Sequence, residues 1–168
     1  MTDSTPADAL DALVRTFDGA MAIVTTAVGP DRAGCLVGFH CQASIDPRRY
    51  AVWLSTANHT YRVSRRATHV AVHLVDRADG DLVELFGSET GDEVDKFART
   101  PWDPGPGGVP LLRRCPARVV LRVLARLDAA GADHVCLMGE PVAGGGPGDG
   151  FDPLRLTDVL GLSPGHPA

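Results

Sequence analysis

The sequence has no apolar run long enough to span a bilayer, and it has only one lysine, Lys96. A membrane-spanning helix needs about 20 consecutive apolar residues, whereas the longest apolar stretches here, at 20–28 and 117–125, are far shorter. The basic residues are mostly single arginines, and the formal net charge is -5. Because nucleic-acid binding depends on clustered positive charge, the composition argues against nucleic-acid binding as well as against a membrane span.

Motifs of several large protein classes are also missing. The chain contains no GxGxxG after a predicted strand, no GxxxxGK[ST] and no GxSxG, which leaves Rossmann, P-loop and serine-hydrolase hypotheses without support. Its four cysteines form no CxxC pair, so no metal site is expected. The N-terminus lacks the basic and apolar regions of a secretory signal. We therefore expect a cytoplasmic protein with reduced cysteines.

The residues that are present predict one mainly β domain. A length of 168 residues with 44% hydrophobic residues suits a single core. The pattern divides the chain into an N-terminal helix (1–19), a main domain (20–143), and a connector and tail of the same domain (144–168). Within 117–128 apolar residues alternate with arginines, which is typical of a long strand.

Shorter elements follow from local signals. Residues 6–17 have helical apolar spacing, with Thr5 as N-cap, Pro6 at the first position and Gly19 marking the end. Further strands are expected at 21–28, 35–39, 50–54, 69–75 and 134–142, and short helices at 60–67, 80–88 and 92–99. Glycine and proline predict a turn at 29–34, an irregular loop at 100–110 and a flexible connector at 143–150. Strands do not alternate regularly with helices, so a mainly antiparallel barrel is the better interpretation.

The order of segments resembles the flavin reductase-like family. The resemblance covers roughly residues 17–143 and rests on successive segments that include MAIVTTAVGPDRAGCLVGF, SIDPRRYAVWLSTANHTYRVSRRATHVAVHLV, DKFARTPW and DHVCLMGEPV. No single segment is specific, but their joint occurrence in order is. The resemblance implies an antiparallel split β-barrel with short flanking helices that binds FMN. Such a site needs a flat slot with main-chain donors for the ring, and several polar donors for the phosphate.

The resemblance places the phosphate at a polar turn before the helix predicted at 60–67. The turn contains hydroxyl, amide and imidazole groups, at Ser55, Thr56, Asn58, His59 and Thr60. Backbone N–H groups at a helix start can add to such a site. The alternative is that Asn58 or Thr60 is only a helix N-cap.

The resemblance places the flavin ring at a strand edge, where this sequence departs from the family. The candidate residues are Gly38, His40, Cys41, Gln42 and Ser44. Here the family usually has a longer run of threonine and serine, and this sequence is about four residues shorter. The slot could therefore be reshaped, so FAD, a deazaflavin or haem are alternatives to FMN. His40 would be an axial ligand of haem, or else a structural residue.

Three further positions match the family pattern. Asp133 and His134 correspond to an Asp-His pair that the family places near the flavin, although a turn followed by a strand start explains them equally well. Lys96 could reach a phosphate across a dimer, or it could be solvated. Trp53 and Trp102 could form pocket walls, with Trp53 favoured as core.

The resemblance implies an FMN-dependent NAD(P)H oxidoreductase that forms a homodimer and could supply a partner monooxygenase. The chemistry would come from the cofactor, so no catalytic side chain is predicted. The C-terminal sequence RLTDVLGLSPGHPA departs from the family's usual aromatic/His-Gly ending, and His166 is expected to be inert. A non-catalytic carrier of a planar cofactor and a cofactor-free barrel remain as alternatives.

Overall fold

The computed structural model describes residues 5–165. The helices are α1 (Pro6–Phe17), α2 (His59–Ser64) and α3 (Gly80–Gly87). The strands are β1 (Ala22–Val28), β2 (Asp31–Val37), β3 (His40–Ser44), β4 (Arg49–Ser55), β5 (His69–Leu74), β6 (Trp102–Pro104), β7 (Pro110–Leu112), β8 (Arg118–Asp128) and β9 (His134–Gly145). Short 3-10 turns lie at Lys96–Ala98, Pro106–Gly108 and Leu156–Val159.

Seven strands form one sheet in the order β2-β1-β5-β8-β9-β4-β3, and every neighbouring pair is antiparallel. The other two strands, β6 and β7, form a separate hairpin. This arrangement confirms the predicted mainly β, antiparallel split barrel with short helices. The alternation in 117–128 corresponds to β8, in which Leu121 packs in the barrel cluster and Val120 in a separate small cluster, while the far end of the strand is exposed.

Strand β1 is buried on both faces. Successive side chains of a strand point to opposite faces, yet both Ile23 and Val24 are fully buried. Ile23 packs in a cluster with Leu82 and Phe86 of α3, whereas Val24 packs in a cluster inside the barrel. Burial on both faces explains why this segment reads as a continuous apolar run without alternation.

Helix α1 forms as predicted but buries none of its residues. Thr5 and Asp8 make a reciprocal capping box, and Pro6 occupies the first turn. The left-handed residue that ends the helix is Asp18, with φ of 45°, so the prediction of Gly19 for this role is wrong. The apolar stripe is solvent-exposed, with Phe17 83% exposed and Leu13 66% exposed. This helix is amphipathic, and within residues 5–165 nothing buries its apolar stripe.

Two segments predicted as irregular are regular strands. The predicted turn at 29–34 is confined to its first residues, because β2 begins at Asp31. Gly34 provides close packing: a Cβ there would lie 2.7 Å from the Phe86 ring. The predicted flexible connector starts as strand, since β9 continues to Gly145. A Cβ at Gly144 or Gly145 would lie 2.7–2.8 Å from backbone oxygens of the neighbouring chain segment. These glycines allow strands to approach closely.

The proline-rich segment at 100–110 is also more ordered than predicted. It folds as the β6–β7 hairpin, in which Pro104 lies opposite Pro110. Proline cannot donate a ladder hydrogen bond, but this two-stranded hairpin has both prolines at the end of its ladder, next to the turn. The helix predicted at 92–99 is shorter than expected and consists of a single 3-10 turn at Lys96–Ala98.

Candidate functional site

Two pockets adjoin one another along β2 and the segment after α3. The first, here called the apolar pocket, has a volume of about 340 Å³. It is bordered by β2 and its end, the polar turn before α2, the start of β9 and the C-terminal segment, and its lining includes Leu36, Val37, Gly38, Phe39, Trp53, Ser55, Asn58, His134, Val159 and Leu162. Its lining is dominated by apolar and aromatic side chains, which suits a flat organic ring.

The second, here called the charged pocket, has a volume of about 530 Å³. Cations and carboxylates line it in equal number, at Arg32, Arg62, Arg66, Lys96, Asp31, Asp92, Glu93 and Asp95. The two linings are neighbours in sequence at three places: 34–35, 58–59 and 90–91. The two pockets therefore border on the same three segments, one of which is the start of α2.

The polar turn brings only part of its predicted set to the pockets. Ser55 and Asn58 line the apolar pocket, and His59 lines the charged one. Asn58 accepts a hydrogen bond from the Thr60 amide at 2.9 Å, so it is the N-cap of α2 as well as a lining residue. The Thr56 hydroxyl donates to the Asp133 carbonyl at 3.2 Å. Thr60 is buried, and its side chain opposes the rise that burial gives to the pKa of the Cys35 thiol.

Of the predicted ring-edge residues, only Gly38 lines either pocket. The exposed residues Cys41 and Gln42 lie with Ser44 on the edge strand β3, away from the two pockets. His40 is held at both ring nitrogens, by the Tyr50 hydroxyl at 2.7 Å and the Ala20 carbonyl at 2.8 Å. Burial lowers the pKa of His40. In this arrangement neither nitrogen can bind a haem iron, so the structural interpretation of His40 replaces the axial-ligand hypothesis.

The Asp133–His134 pair stands at the rim of the apolar pocket. Asp133 Oδ1 lies 2.7 Å from His134 Nδ1, and this hydrogen bond lowers the pKa of Asp133. The His134 ring lies 5.1 Å from the Phe39 ring at 60°. Thus Asp133 precedes β9 and His134 begins it, as the alternative of a turn followed by a strand start predicts, and both residues also border the pocket.

Lys96 is buried rather than solvated, so the hypothesis of a solvated lysine is wrong. It is 4% exposed, and its Nζ donates to the carbonyls of Gly34 at 3.1 Å and Phe86 at 3.4 Å. Burial lowers the pKa of Lys96, while the Cys35 thiol opposes that shift. The ammonium group thus joins β2 to α3 at the floor of the charged pocket.

Sequence reasoning missed several lining residues. Arg62 and Asp92 form an ion pair in the charged pocket although 30 residues separate them. The C-terminal segment, predicted as a connector and tail, contributes Leu156, Val159 and Leu162 to the apolar pocket. Their helix-like apolar spacing was the available signal. His166 lies outside the described residues. Trp53, favoured as core, is half-buried in the pocket wall.

Known structures share this fold. An FMN-binding protein from Thermus thermophilus, with bound 1-cyclohex-2-enone, is 27% identical with a TM-score of 0.70, and the match covers 77% of this chain and 71% of that one. Flavin reductase HpaC, complexed with NADP+, is 21% identical with a TM-score of 0.75 over 90% and 98% of the two chains. The NADH:FAD oxidoreductase SgcE6 of Streptomyces globisporus is 16% identical with a TM-score of 0.77 over 91% and 90%.

These similarities define the class as a flavin reductase-like split barrel. The model of the flavin reductase like domain matches residues 14–158, and this chain belongs to that family. Within residues 5–165, no helix is long and apolar enough to cross a membrane. The same residues contain no group of three or more histidine, cysteine, aspartate or glutamate side chains suited to a metal ion.

Proposed function

We propose that the protein binds FMN and transfers a hydride from NAD(P)H to the flavin. The observation that carries this proposal is the apolar pocket, which opens beside a polar turn and adjoins a charged pocket. The isoalloxazine ring would lie against Phe39 and Trp53, and the phosphate would point toward Asn58 and His59. Membership of the family supports a flavin-related oxidoreductase activity.

The residues present fit this cofactor. Gly38 has no side chain, and a Cβ there would lie 3.3 Å from Met21 Sδ, so a larger residue would crowd the pocket. Ser55 and Asn58 offer hydroxyl and amide groups to the pocket, and Val37 and Phe39 supply apolar surface. Helix α2 has only six residues, so side chains must supply most of the phosphate contacts.

FMN, when bound, supplies two-electron redox chemistry, and the protein supplies position and environment. Phe39 and Trp53 would hold the ring by stacking and exclude water from one face. The Asp133 carboxylate fixes the His134 ring at the rim, where an imidazole N–H can donate to a ring carbonyl or to a nicotinamide amide. No side-chain acid or base is required for hydride transfer itself.

An absorbance measurement tests this proposal. The protein is purified without added cofactor, titrated with FMN, and then mixed with NADH or NADPH without oxygen. We expect saturable binding with two flavin bands between 300 and 700 nm, followed by bleaching on addition of reduced pyridine nucleotide. A protein that leaves the FMN spectrum and fluorescence unchanged would contradict the proposal. A variant Gly38→Trp should lose FMN binding because its indole would fill the ring position.

A flavin carrier is a second candidate, favoured by the C-terminal segment. Leu162 and Pro164 line the apolar pocket, and the Gly165 amide donates to the Gly87 carbonyl at 3.3 Å, so this segment limits the space for a second ligand. A carrier would bind FMN without oxidising NADH or NADPH. If truncation after residue 160 left FMN binding intact and increased NADH oxidation, the reductase would be favoured over the carrier.

We further propose a homodimer in which α1 packs on a second copy. Each of its large apolar side chains is at least 38% exposed: Leu10, Leu13, Val14 and Phe17. Burial of this stripe against a second copy would stabilise the dimer by about 25 cal/mol per Å² of apolar surface removed from water. The proposed activity would then use reduced flavin in the same dimer or deliver it to a partner monooxygenase.

Light scattering during size-exclusion chromatography tests the dimer. Wild-type protein should have twice the chain mass of 17.7 kDa, and Leu13→Glu should shift it toward the monomer because it places a carboxylate within the interface. Arg15→Glu is the matched control, since it changes the charge of the same helix outside the apolar stripe. A wild-type monomer at micromolar concentration, or equal loss with both variants, would contradict this role of α1.

A further inference from the structure

Asp92 is an anion held by three cationic or polar side chains beside the proposed phosphate position. Both of its carboxylate oxygens accept hydrogen bonds from the Arg62 guanidinium, and Oδ1 lies 2.9 Å from His59 Nδ1. The Thr90 hydroxyl donates to its other oxygen at 3.4 Å. Phosphate groups are recognised by the same donors, with guanidinium and imidazole groups making charge-assisted hydrogen bonds. The carboxylate is therefore arranged as a phosphate would be.

We propose that Asp92 occupies the phosphate position in the ligand-free chain, and that Arg62 and His59 bind the phosphomonoester of the flavin after displacing it. Arg62 then becomes a phosphate-binding residue, and Asp92 sets the preference between phosphorylated and unphosphorylated flavins. The inference rests on the proposed function, because it requires a flavin ring in the adjoining apolar pocket.

The location of this ion pair supports the assignment. Asn58 lines the apolar pocket and the next residue, His59, lines the charged pocket. In the same way, Thr90 lines the apolar pocket and Asp92, two residues later, lines the charged pocket. The carboxylate thus lies beside two of the three segments on which both pockets border. A ligand whose ring fills the apolar pocket and whose chain runs toward Asn58 would place its terminal group there.

Its exposure makes Asp92 displaceable. The side chains of Asp92 and Arg62 are 51% and 48% exposed, and exposed ion pairs of this kind contribute little to stability. Arg62 lowers the pKa of Asp92 to about 2, so the carboxylate is ionised at neutral pH and competes through its charge. A flavin phosphate carries up to two negative charges, and it can therefore replace a single carboxylate at the guanidinium.

The segment that carries Asp92 would have to move when the carboxylate leaves. Gly91 packs so closely on His59 that a Cβ at this position would lie 2.8 Å from the imidazole ring. The Asp92 amide donates to the Thr90 hydroxyl at 3.2 Å, which keeps the 90–92 turn compact. Displacement of the carboxylate would thus release a short turn and leave α2 in place.

Dissociation constants for FMN and riboflavin, measured by quenching of flavin fluorescence, test the inference. The variant Asp92→Asn should bind FMN about five- to tenfold more tightly, because an anionic competitor is removed, and bind riboflavin within about twofold of wild type. Arg62→Gln should bind FMN about tenfold more weakly, again with little effect on riboflavin. In the Arg62→Gln background, Asp92→Asn should have almost no further effect.

The matched control is Asp81→Asn on α3. Asp81 accepts two hydrogen bonds from Arg114, its pKa is also lowered to about 2, and it lines neither pocket. The substitution Asp81→Asn removes the same charge at a position outside both pockets. An equal increase in FMN affinity with Asp81→Asn and Asp92→Asn would overturn the inference, because the effect would then come from net charge.

Two other results are also decisive. If wild-type protein binds FMN but Asp92→Asn binds it no more tightly, the inference fails while the proposed function stands, and Asp92 instead positions His59 and Arg62. If wild-type protein binds neither FMN nor riboflavin, both are overturned. Thermal unfolding of each variant confirms that the folded protein is being compared.

Discussion

His73, buried between the sheet and the β6–β7 hairpin, and His134, at the rim of the apolar pocket, differ in what holds their rings. His73 is fully buried, with Nδ1 3.1 Å from the Ile23 carbonyl and Nε2 3.2 Å from the Leu112 amide. The His134 side chain is 29% exposed and pairs with the Asp133 carboxylate. The interior ring is thus held by backbone groups alone, whereas the rim ring is held by a charged side chain.

The partners of His73 fix one neutral tautomer. Nδ1 must donate to a carbonyl oxygen while Nε2 accepts from an amide, so a second proton would break the hydrogen bond to Leu112. Burial lowers the pKa of His73 to about 4. This ring joins β5 to β1 and to the β6–β7 hairpin, and its role is structural. The two histidines therefore predict separable effects, on stability in the interior and on ligand binding at the rim.

The largest expected effect is the loss of stability on substituting His73 by alanine. The change leaves a cavity and removes the partners of two buried backbone groups, which should lower the free energy of unfolding by about 3–5 kcal/mol. Urea denaturation measures it. His69→Ala, on the same strand but half-buried beside the Thr68 hydroxyl, should cost about 1 kcal/mol or less. Similar losses at both positions would contradict the special role of the interior ring.

The same residue predicts a pH dependence. Between pH 6.5 and about 4 the unfolded chain binds a proton at His73, whereas the folded chain does not. Stability should therefore fall as pH falls through this window, by up to about 3 kcal/mol for this group. Free energies of unfolding at several pH values, compared between wild type and His73→Gln, isolate its share. His40, whose pKa is also lowered, should leave a smaller residual slope in the variant.

At the rim, His134→Ala should weaken function with little effect on stability. Loss of one ligand hydrogen bond should reduce FMN affinity or NADH oxidation by about three- to tenfold. The midpoint of urea denaturation should remain close to that of wild type. If this variant were destabilised as strongly as His73→Ala and bound FMN normally, the proposed contrast between interior and rim would be wrong.

The smallest expected effect belongs to Asp133→Asn. An amide can still contact His134, so the orientation of the ring should be largely kept while the charge is lost. We expect about a twofold change in FMN affinity, because exposed charge pairs contribute little. Asp133→Ala, which removes the contact altogether, should approach the effect of His134→Ala. An Asn variant as impaired as the Ala variant would show that the charge matters more than orientation.

Local signals predicted the elements well where a short segment decides its own structure. Helix α1 follows from apolar spacing, the Thr5 cap and Pro6, all within one stretch of chain. Strand β8 follows from strict alternation over 117–128. By contrast, Gly34 and Gly144 looked like turn or linker residues, although close contacts from distant segments require them inside strands.

The candidate site was predictable in part for the same reason. The polar turn with Ser55, Asn58 and His59 is a local motif, and its residues do line the two pockets. His40 has an imidazole like His59, but both of its ring nitrogens contact structural partners, the Tyr50 hydroxyl and the Ala20 carbonyl. No local sequence pattern distinguishes a structural histidine from one that lines a pocket. The ion pair between Arg62 and Asp92 joins residues 30 positions apart, and the sequence around either residue does not predict it.

The sequence by itself determined the class of fold, the family and the polar turn, because periodicity, capping and ordered motifs are properties of neighbouring residues. Only the tertiary structure decided which histidines are buried, that Lys96 forms a pocket floor, and that the C-terminal segment returns to the apolar pocket. Burial, hydrogen bonding and charge pairing depend on which distant segments are in contact, and the antiparallel order of the strands determines those contacts.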